Sequence, residues 1–198
     1  QQDQLQRVYG SAKHLLALIT DVIDISKIEA GFIDVFEERI EVAALVDEAV
    51  QTVQPAAREK KLEIRVSVPP GIMVQTDRRR LLQCLLNFMS NAVKYTVEGT
   101  ITVEACVRGN WLDISVEDTG IGVDEAGLSR LFQPFERIDS HLRVKTPGTG
   151  LGLYLTRKIA TELLSGSVEV SSTPGLGSRF TLHVPREGSG RASDGVKP

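Results

Sequence analysis

One stretch of the sequence, Leu85 to Thr96 (LLNFMSNAVKYT), strongly limits what the chain can fold into. Its spacing predicts a helix that carries Asn87, Asn91 and Lys94 on one face. The opposite side is an apolar stripe typical of a core, formed by Leu82, Leu85, Leu86, Met89, Ala92 and Val93. Amide oxygens can ligate a hard cation such as Mg²⁺ and an ammonium can neutralise phosphate oxygens, so the polar face suits a metal-bound polyphosphate. Taken alone, the spacing is also compatible with an ordinary polar surface that carries two asparagines by chance.

Composition narrows the classes of protein that the chain can represent. Its 198 residues, 41% of them hydrophobic, are enough for one domain with a single core. The net charge of −3 gives no electrostatic reason to propose nucleic acid as a partner. The sequence has no apolar run long enough to span a membrane and no signal-peptide core. It also lacks an initiator Met, so we expect a fragment of a longer protein. Cys84 and Cys106 are interpreted as buried, small apolar residues and not as a disulfide or a metal site.

The first segment has more apolar surface than an isolated helix can leave in water. From residue 3 to residue 29 the apolar side chains follow a heptad-like pattern that ends at Gly31, a typical residue to follow a helix. A helix packed only on its own domain is one interpretation. We favour a helical hairpin or a bundle with another chain.

The remaining pattern predicts an α+β fold, a two-layer α/β sandwich with a mixed sheet of about five to seven strands and helices on one face. Asp77 is the predicted N-cap of the helix that carries Asn87 and Asn91. Pro55 lies inside the preceding predicted helix, and a proline at such a position can kink a helix or end it early. Strands are expected at 32–36, 62–68, 72–75, 100–107, 111–117 and in a hairpin after 166, and helices at 41–60, 124–132 and from Gly148 to about Leu164. Residues 133–148 are expected to form a long loop of the kind that often serves as a lid, and 186–198 to be disordered.

Two glycine-containing motifs flank that loop. Asp118-Thr119-Gly120-Ile121-Gly122 places a carboxylate, which can accept hydrogen bonds from an exocyclic amino group such as that of adenine, beside glycines that allow close backbone approach. Gly148 to Leu153 (GTGLGL) opens a helix, where free amides favour phosphate. An ordinary tight turn explains the first motif equally well, and the second is neither a Walker A motif nor a dinucleotide-binding turn.

In their order along the chain these motifs resemble the ATP-binding catalytic domain of sensor histidine kinases, within the GHKL ATPase/kinase superfamily. The N-box is matched by Asn87, Asn91, Lys94 and Tyr95, the G1 box by Asp118, Gly120 and Gly122, and the F-box by Phe132 and Phe135. The G2 box is matched by Gly148, Gly150 and Gly152, and the terminal hairpin of the family by Gly175, Gly177, Ser178 and Phe180. The resemblance implies a Bergerat-type ATP-binding fold preceded by a long N-terminal helix. The segment that ends in DISKIEAG is similar to the second helix of the family's dimerisation and phosphotransfer hairpin.

The resemblance also implies domains and roles. Residues 1–30 would be a partial dimerisation and phosphotransfer helix, 31–186 the catalytic domain, and 187–198 a disordered tail or linker. ATP and Mg²⁺ would be the cofactors, with Asn91 as the metal ligand and Asn87, Lys94 and Arg137 as the catalytic set. The whole nucleotide-binding set would be Asn87, Asn91, Lys94, Tyr95, Asp118, Gly120, Ile121, Gly122, Phe132, Arg137, Lys145, Thr149, Gly150, Leu151, Gly152 and Leu153.

Position 87 separates transfer from hydrolysis. Within the superfamily, the ATPases carry a Glu one helical turn before the metal-binding Asn, and that Glu activates water. Here the residue is Asn87, and an amide cannot be a general base. The chain therefore resembles a kinase that transfers the γ-phosphoryl group to a histidine. A nucleotide-sensing module without transfer activity, and a GHKL ATPase, are the alternatives.

The acceptor histidine is where the sequence departs from the family. No string of the H-box type occurs, His14 lacks the adjacent carboxylate, and His141 and His183 are interpreted as ordinary surface residues. We therefore expect the first helix of the hairpin to be missing and the fragment not to phosphorylate itself. The resemblance implies a homodimer formed through the N-terminal helix and a cognate response regulator as partner. It further implies a cytoplasmic catalytic domain, with a membrane reached only through a sensor region outside this sequence.

Overall fold

The computed structural model describes residues 2–136 and 149–187. The chain begins with a long helix, α1 (Gln2–Glu29), followed by β1 (Glu37–Glu41), α2 (Val42–Glu59), β2 (Glu63–Ser67) and β3 (Met73–Asp77). Helix α3 (Arg78–Tyr95) leads to the hairpin of β4 (Thr100–Arg108) and β5 (Trp111–Asp118). The last elements are α4 (Glu125–Leu128), α5 (Gly152–Lys158) with a π-helical turn (Ile159–Leu163), β6 (Ser167–Thr173) and β7 (Gly177–Pro185).

The strands form a mixed sheet of five strands in the order β2-β4-β5-β7-β6. Strands β2 and β4 are parallel, and the other neighbours are antiparallel. A separate antiparallel ribbon pairs β1 with β3. The predicted α+β sandwich with a mixed sheet is therefore confirmed, and the hairpin at Gly109-Asn110 pairs Arg108 with Trp111 across a two-residue turn.

The core lies between one face of the sheet and the helices. Strand β5 places an apolar side chain in the core at every second position, namely Leu112, Ile114 and Val116. The rings of Phe88 on α3 and Phe180 on β7 stack at 5.3 Å and join the helical layer to the sheet. This packing fixes α3, and with it the polar face of α3, against the ends of β5 and β7.

Three local expectations were wrong. The first strand begins at Glu37 and does not cover 32–36, where Phe32 and Phe36 are exposed. The helix predicted at 41–60 is confirmed, since α2 continues past Pro55 to Glu59 with Val53 and Ala57 buried on either side of the proline. Helix α4 is a single turn, shorter than predicted. Cys106 is exposed on the outer face of β4, whereas Cys84 is buried as expected.

Helix α1 has the exposed apolar surface that the heptad-like pattern predicts. Val8, Leu15, Leu16, Ile19, Val22 and Ile23 are all at least 43% exposed, while Ile28 near its end is buried against the domain. Within the residues that the structure describes, no helix is both long and apolar enough to cross a membrane. The disorder expected for the C-terminal tail falls on residues that lie almost wholly outside the described part of the chain.

Candidate active site

A cavity of about 480 Å³ lies where α3 meets the ends of β5 and β7 and the start of α5. It brings together motifs that are far apart in the sequence. The predicted residues on its walls are Asn87, Asn91, Lys94, Tyr95, Asp118, Ile121, Gly122, Thr149, Gly150, Gly152 and Leu153. One wall, the sheet side, comes from β5, β7 and residues 118–123. The other, the helix side, comes from α1, α3 and residues 149–156.

Helix α3 faces the cavity with its polar side, and side-chain hydrogen bonds hold both of its ends. The Asp77 side chain accepts a hydrogen bond from the Arg80 amide (3.0 Å), which confirms the predicted N-cap. At the other end, the Lys60 ammonium donates to the carbonyl oxygens of Val93, Lys94 and Thr96 at 2.7–3.2 Å. A cation at a helix C-terminus satisfies free carbonyls and complements the helix dipole.

Asp118 dominates the sheet side. Its side chain is buried, with 5% of the residue exposed, and Oδ1 accepts a hydrogen bond from the Gly120 amide (2.9 Å). Burial raises the pKa of Asp118 to about 6, against the lowering effect of hydrogen bonds from the Gly120 and Ser178 amides. The carboxylate is therefore ionised at neutral pH and available as a hydrogen-bond acceptor.

The glycines on the two walls have steric roles. Gly122 has a φ of +64°, and a Cβ there would collide with the Thr173 carbonyl. Gly150 has a φ of +72°, and a Cβ there would lie 2.9 Å from the Glu136 carbonyl oxygen. A Cβ on Gly152 would lie 2.6 Å from Oδ1 of Asn87, so any larger residue at this position would displace the Asn87 side chain.

Helix α1 also contributes to the cavity, and the sequence did not predict this. Asp21 lines the helix side and accepts a hydrogen bond from Thr149, and burial, followed by repulsion from Asp24, raises its pKa. Three further contacts anchor α1. Asp24 pairs with buried Arg80 (3.0 Å), and Glu29 accepts from the Tyr154 hydroxyl (3.1 Å) and lies 3.6 Å from the Lys158 ammonium. No periodicity signals such contacts, because they depend on how α1 docks on distant elements.

Other lining residues could have been found from the sequence. Gln83 precedes Asn87 by one helical turn and shares its face, and Ser178 and Phe180 lie in the terminal hairpin motif. Thr156, which accepts a hydrogen bond from Nδ2 of Asn87 (2.8 Å), had no motif to mark it. The rest of the lining is formed by Ser90, Val123, Leu131, Glu136 and Leu155.

Three predicted residues do not line the cavity. Gly120 lies behind Asp118 and uses its amide to hold that carboxylate. Leu151 is buried at 1% exposure, and Phe132 packs on the core with the Arg157 guanidinium 5.7 Å from its ring. Arg137 and Lys145 lie outside the described residues, as does His141.

His183 is not the ordinary surface residue that the sequence predicted. Its side chain is 25% exposed, Nδ1 lies 2.6 Å from the Asp113 carboxylate, and Nε2 lies 3.4 Å from that of Glu169. It belongs to a polar cluster on the outer face of the sheet, away from the cavity.

The donor set of the cavity fits a metal-bound nucleoside polyphosphate. Within residues 2–136 and 149–187, no three His, Cys, Asp or Glu side chains gather in a way that could hold a metal ion by themselves. Mg²⁺, however, is commonly bound through one or two protein oxygens and the phosphates of its substrate. The amide of Asn91 and the ammonium of Lys94, 4.7 Å from the centre of the Tyr95 ring, provide these two kinds of group on one wall.

The chain was compared with known proteins. Residues 76–188 match the family described as histidine kinase-, DNA gyrase B-, and HSP90-like ATPases. The chain belongs to this family. The matched segment begins just before α3 and ends after β7, so it contains both walls of the cavity except for the contribution of α1.

The curated relatives of this GHKL-family chain include histidine kinases. It is 35% identical to the circadian input-output histidine kinase CikA of Synechococcus elongatus, over 94% of this chain and 25% of that protein. It is 40% identical to the non-motile and phage-resistance protein of Caulobacter vibrioides, over 91% of this chain and 22% of that protein. The chain thus spans about a quarter of the length of these relatives.

Solved structures support the same assignment. Full-length ShkA in complex with AMPPNP matches with a TM-score of 0.80 and 32% identity, over 93% of this chain and 38% of that one. The Acinetobacter baumannii histidine kinase AdeS matches with a TM-score of 0.80 at 22% identity, which shows the shared fold. Residues 76–188 are therefore an ATP-binding domain of the histidine kinase type.

Proposed function

We propose that this chain is the catalytic region of a two-component sensor histidine kinase and transfers the γ-phosphoryl group of ATP to a histidine on a dimerisation domain. The main supporting observation is the cavity that joins the amides of Asn87 and Asn91 to Asp118 and to the GTGLGL segment. The identity of residue 87 favours transfer over hydrolysis. Its neutral amide donates to Thr156, so the helix side lacks a carboxylate at the position from which the family's ATPases activate water.

The proposed binding mode assigns one task to each wall. On the sheet side, ionised Asp118 would accept a hydrogen bond from the adenine amino group, with Ile121 and Gly122 against the ring. On the helix side, Asn91 would hold Mg²⁺, with Asn87 beside it, and Lys94 would neutralise phosphate. When bound, the metal ion supplies charge neutralisation at the phosphates. The amides of Gly150 to Leu153 would hold phosphate oxygens.

Two cations outside the described residues, together with Tyr95, complete the proposed set. Arg137 would reach the γ-phosphate, with Lys145 as a weaker candidate, and Tyr95 would pack on the nucleotide. Phosphoryl transfer rests on positioning and on electrostatic stabilisation, and the cations of this set would contribute the latter.

The acceptor and the partners complete the proposal. Residues 1–30 would be the second helix of a dimerisation hairpin, 31–186 the catalytic domain, and 187–198 a tail or linker. The exposed apolar side chains of α1 would pair with a second copy of the chain in a homodimer. A cognate response regulator would receive the phosphoryl group, and the domain would work in the cytoplasm, reaching a membrane only through a separate sensor region.

A transfer assay in trans tests this function. The chain is incubated with γ-labelled ATP, Mg²⁺ and a separate hairpin protein that carries an intact H-box, and a hairpin with its acceptor histidine replaced by alanine is the control. We expect acid-labile label on the intact hairpin alone. Nucleotide binding without transfer would favour the nucleotide-sensing module. Steady ATP turnover by the chain alone would favour the ATPase.

A further inference from the structure

Asn87 is held by a hydrogen bond from a different helix. Its Nδ2 donates to Oγ1 of Thr156 on α5 at 2.8 Å, and both residues line the cavity. Thr156 is only 2% exposed and lies in a well-packed region, since its backbone carbonyl is 3.9 Å from the buried thiol of Cys84 on α3. The Thr156 hydroxyl is therefore a fixed point against which the half-buried Asn87 amide is oriented.

Orientation matters because the two ends of an amide differ chemically. The nitrogen donates and the oxygen accepts, and a rotation of 180° exchanges them. When Nδ2 of Asn87 is bonded to Thr156, Oδ1 of Asn87 faces the start of α5. A Cβ on Gly152 would lie 2.6 Å from this oxygen. Gly152, which also lines the cavity, adds no side chain over that oxygen.

We infer that Thr156 is a positioning residue that anchors the Asn87 amide by its nitrogen and so leaves the oxygen free for the metal-bound phosphates. A hydroxyl can bond either end of an amide, so the contact acts by restricting rotation of the side chain in the arrangement that the structure shows. This inference rests on the proposed function, because it assumes that the cavity binds a Mg²⁺–nucleotide complex. Hard cations and the water molecules around them require oxygen acceptors. An amide turned the other way presents N–H groups. These can donate to phosphate oxygens, but they can neither ligate a cation nor accept hydrogen bonds from its water molecules.

The hydroxyl group of residue 156, and not only the size of its side chain, matters for this role. Valine has nearly the same shape as threonine but cannot accept the hydrogen bond, whereas serine keeps the hydroxyl and loses a methyl group. Thr156→Val thus removes the orienting contact with little change in volume, and Thr156→Ser is the matched variant that retains it.

The experiment is calorimetric titration of the whole chain with AMPPNP, in excess Mg²⁺ and in EDTA. We expect Mg²⁺ to strengthen binding by the native chain. Thr156→Val should reduce that Mg²⁺-dependent gain by about three- to tenfold, the effect of one oriented hydrogen bond. The affinity in EDTA should be unchanged, and Thr156→Ser should restore the gain.

A second measurement does not depend on any ligand. In the nucleotide-free chain, the side-chain amide resonances of Asn87, assigned through Asn87→Ala, should shift in Thr156→Val and return toward the native values in Thr156→Ser. This readout is available even if the valine variant binds nucleotide poorly. It also reports on the hydrogen bond itself.

The outcomes are distinguishable. An undiminished Mg²⁺-dependent gain in Thr156→Val, or an equal loss of affinity with and without Mg²⁺, would overturn the positioning role. A native chain that binds AMPPNP without any gain from Mg²⁺ would overturn it as well, with nucleotide binding left intact. A native chain that does not bind adenine nucleotides would instead overturn the proposed function.

Discussion

The two walls of the cavity are built in different ways. The sheet side comes from the ends of paired strands and a turn. Asp118 pairs with Ser178 in the sheet, and glycines allow neighbouring backbone segments to lie in close contact. The helix side comes from three segments that meet through side chains, namely Asp24 with Arg80, Glu29 with Lys158, and Asn87 with Thr156. The first wall is preformed by the sheet. The second depends on how α1 and α5 dock on α3.

The largest expected effect tests the rigidity of the sheet side. Gly177 has a φ of +121°, and a Cβ there would collide with the backbone carbonyl of Asp118, so neither atom can yield easily. Gly177→Ala should lower the free energy of unfolding by roughly 3 kcal/mol or more, or prevent folding. Chemical denaturation measures this change.

Gly175→Ala is the matched control in the same turn. Gly175 also has a positive φ, of +78°, but nothing lies within 4 Å of its Cβ position. The control should cost only about 1 kcal/mol, the strain of the left-handed conformation. Equal losses in the two variants would show that the backbone contact with Asp118 contributes nothing to this wall.

The docking of α1 tests the helix side. Arg80 is 4% exposed and pairs with Asp24, and its Nη1 also donates to the Gln83 side chain (2.9 Å). Arg80→Met should loosen α1 and reduce stability by about 2 kcal/mol, because it removes a buried, hydrogen-bonded cation. Hydrogen exchange of residues 21–29 should accelerate. Arg79→Met, at an exposed position on the same helix, should leave that exchange unchanged.

This contrast also explains what could be predicted from the sequence. Half of the sheet side was predicted, because Asp118, Ile121 and Gly122 form one contiguous motif; Val123, Ser178 and Phe180 of the same wall were not in the predicted set. The α3 face was predicted from helical spacing. The contributions of Asp21 and Thr156 were not, because tertiary docking places them there and no local pattern records it. The helix at 41–60 was predicted from its apolar spacing with Pro55 inside it, and the structure has α2 continuous through that residue.

Asp118 offers a smaller but more specific test of the sheet side. Asp118→Asn should weaken adenine nucleotides by ~1–3 kcal/mol, because the charge-assisted hydrogen bond to the adenine amino group is lost. Calorimetry of ADP in EDTA measures this without involving the metal. Asp113→Asn, on the outer face of the sheet, is a control that should not change ADP affinity. Unchanged affinity in Asp118→Asn would refute the assignment of this residue to adenine.

The raised pKa of Asp118 gives that variant a second signature. The folded-state pKa of about 6 lies above the ordinary value of 3.8, so the unfolded chain releases this proton at a lower pH than the folded chain does. The contribution of Asp118 to the free energy of unfolding therefore falls as the pH rises from 3.8 through about 6. The amide of the Asp118→Asn variant does not titrate. The melting temperature of the variant relative to the native chain should therefore increase from pH 5 to pH 8.

The smallest expected effect comes from Asp21, the carboxyl group on the opposite wall. The carboxyl groups of Asp118 and Asp21 both have a raised pKa, but their ionised forms would have opposite effects on nucleotide affinity. Ionised Asp118 would accept a hydrogen bond from adenine. Ionised Asp21 lies beside Thr149 at the GTGLGL segment and would repel phosphates. Asp21→Asn should therefore tighten Mg²⁺-free ADP about three- to fivefold, or ~0.5–1 kcal/mol, as expected for a partly exposed like charge. Calorimetry at low ionic strength measures this gain.

The dependence on pH, salt and ligand identifies the cause. The gain should grow as the pH rises and Asp21 ionises in the native chain, shrink in high salt because screening weakens repulsion, and vanish for adenosine, which has no phosphate. Asp34→Asn, an exposed position outside the cavity, makes the same change in net charge and should have no effect. A gain that is equal for adenosine and ADP would mean that Asp21 acts on the docking of α1 and not on the phosphates. The helix side would then affect nucleotide binding through its shape rather than its charge.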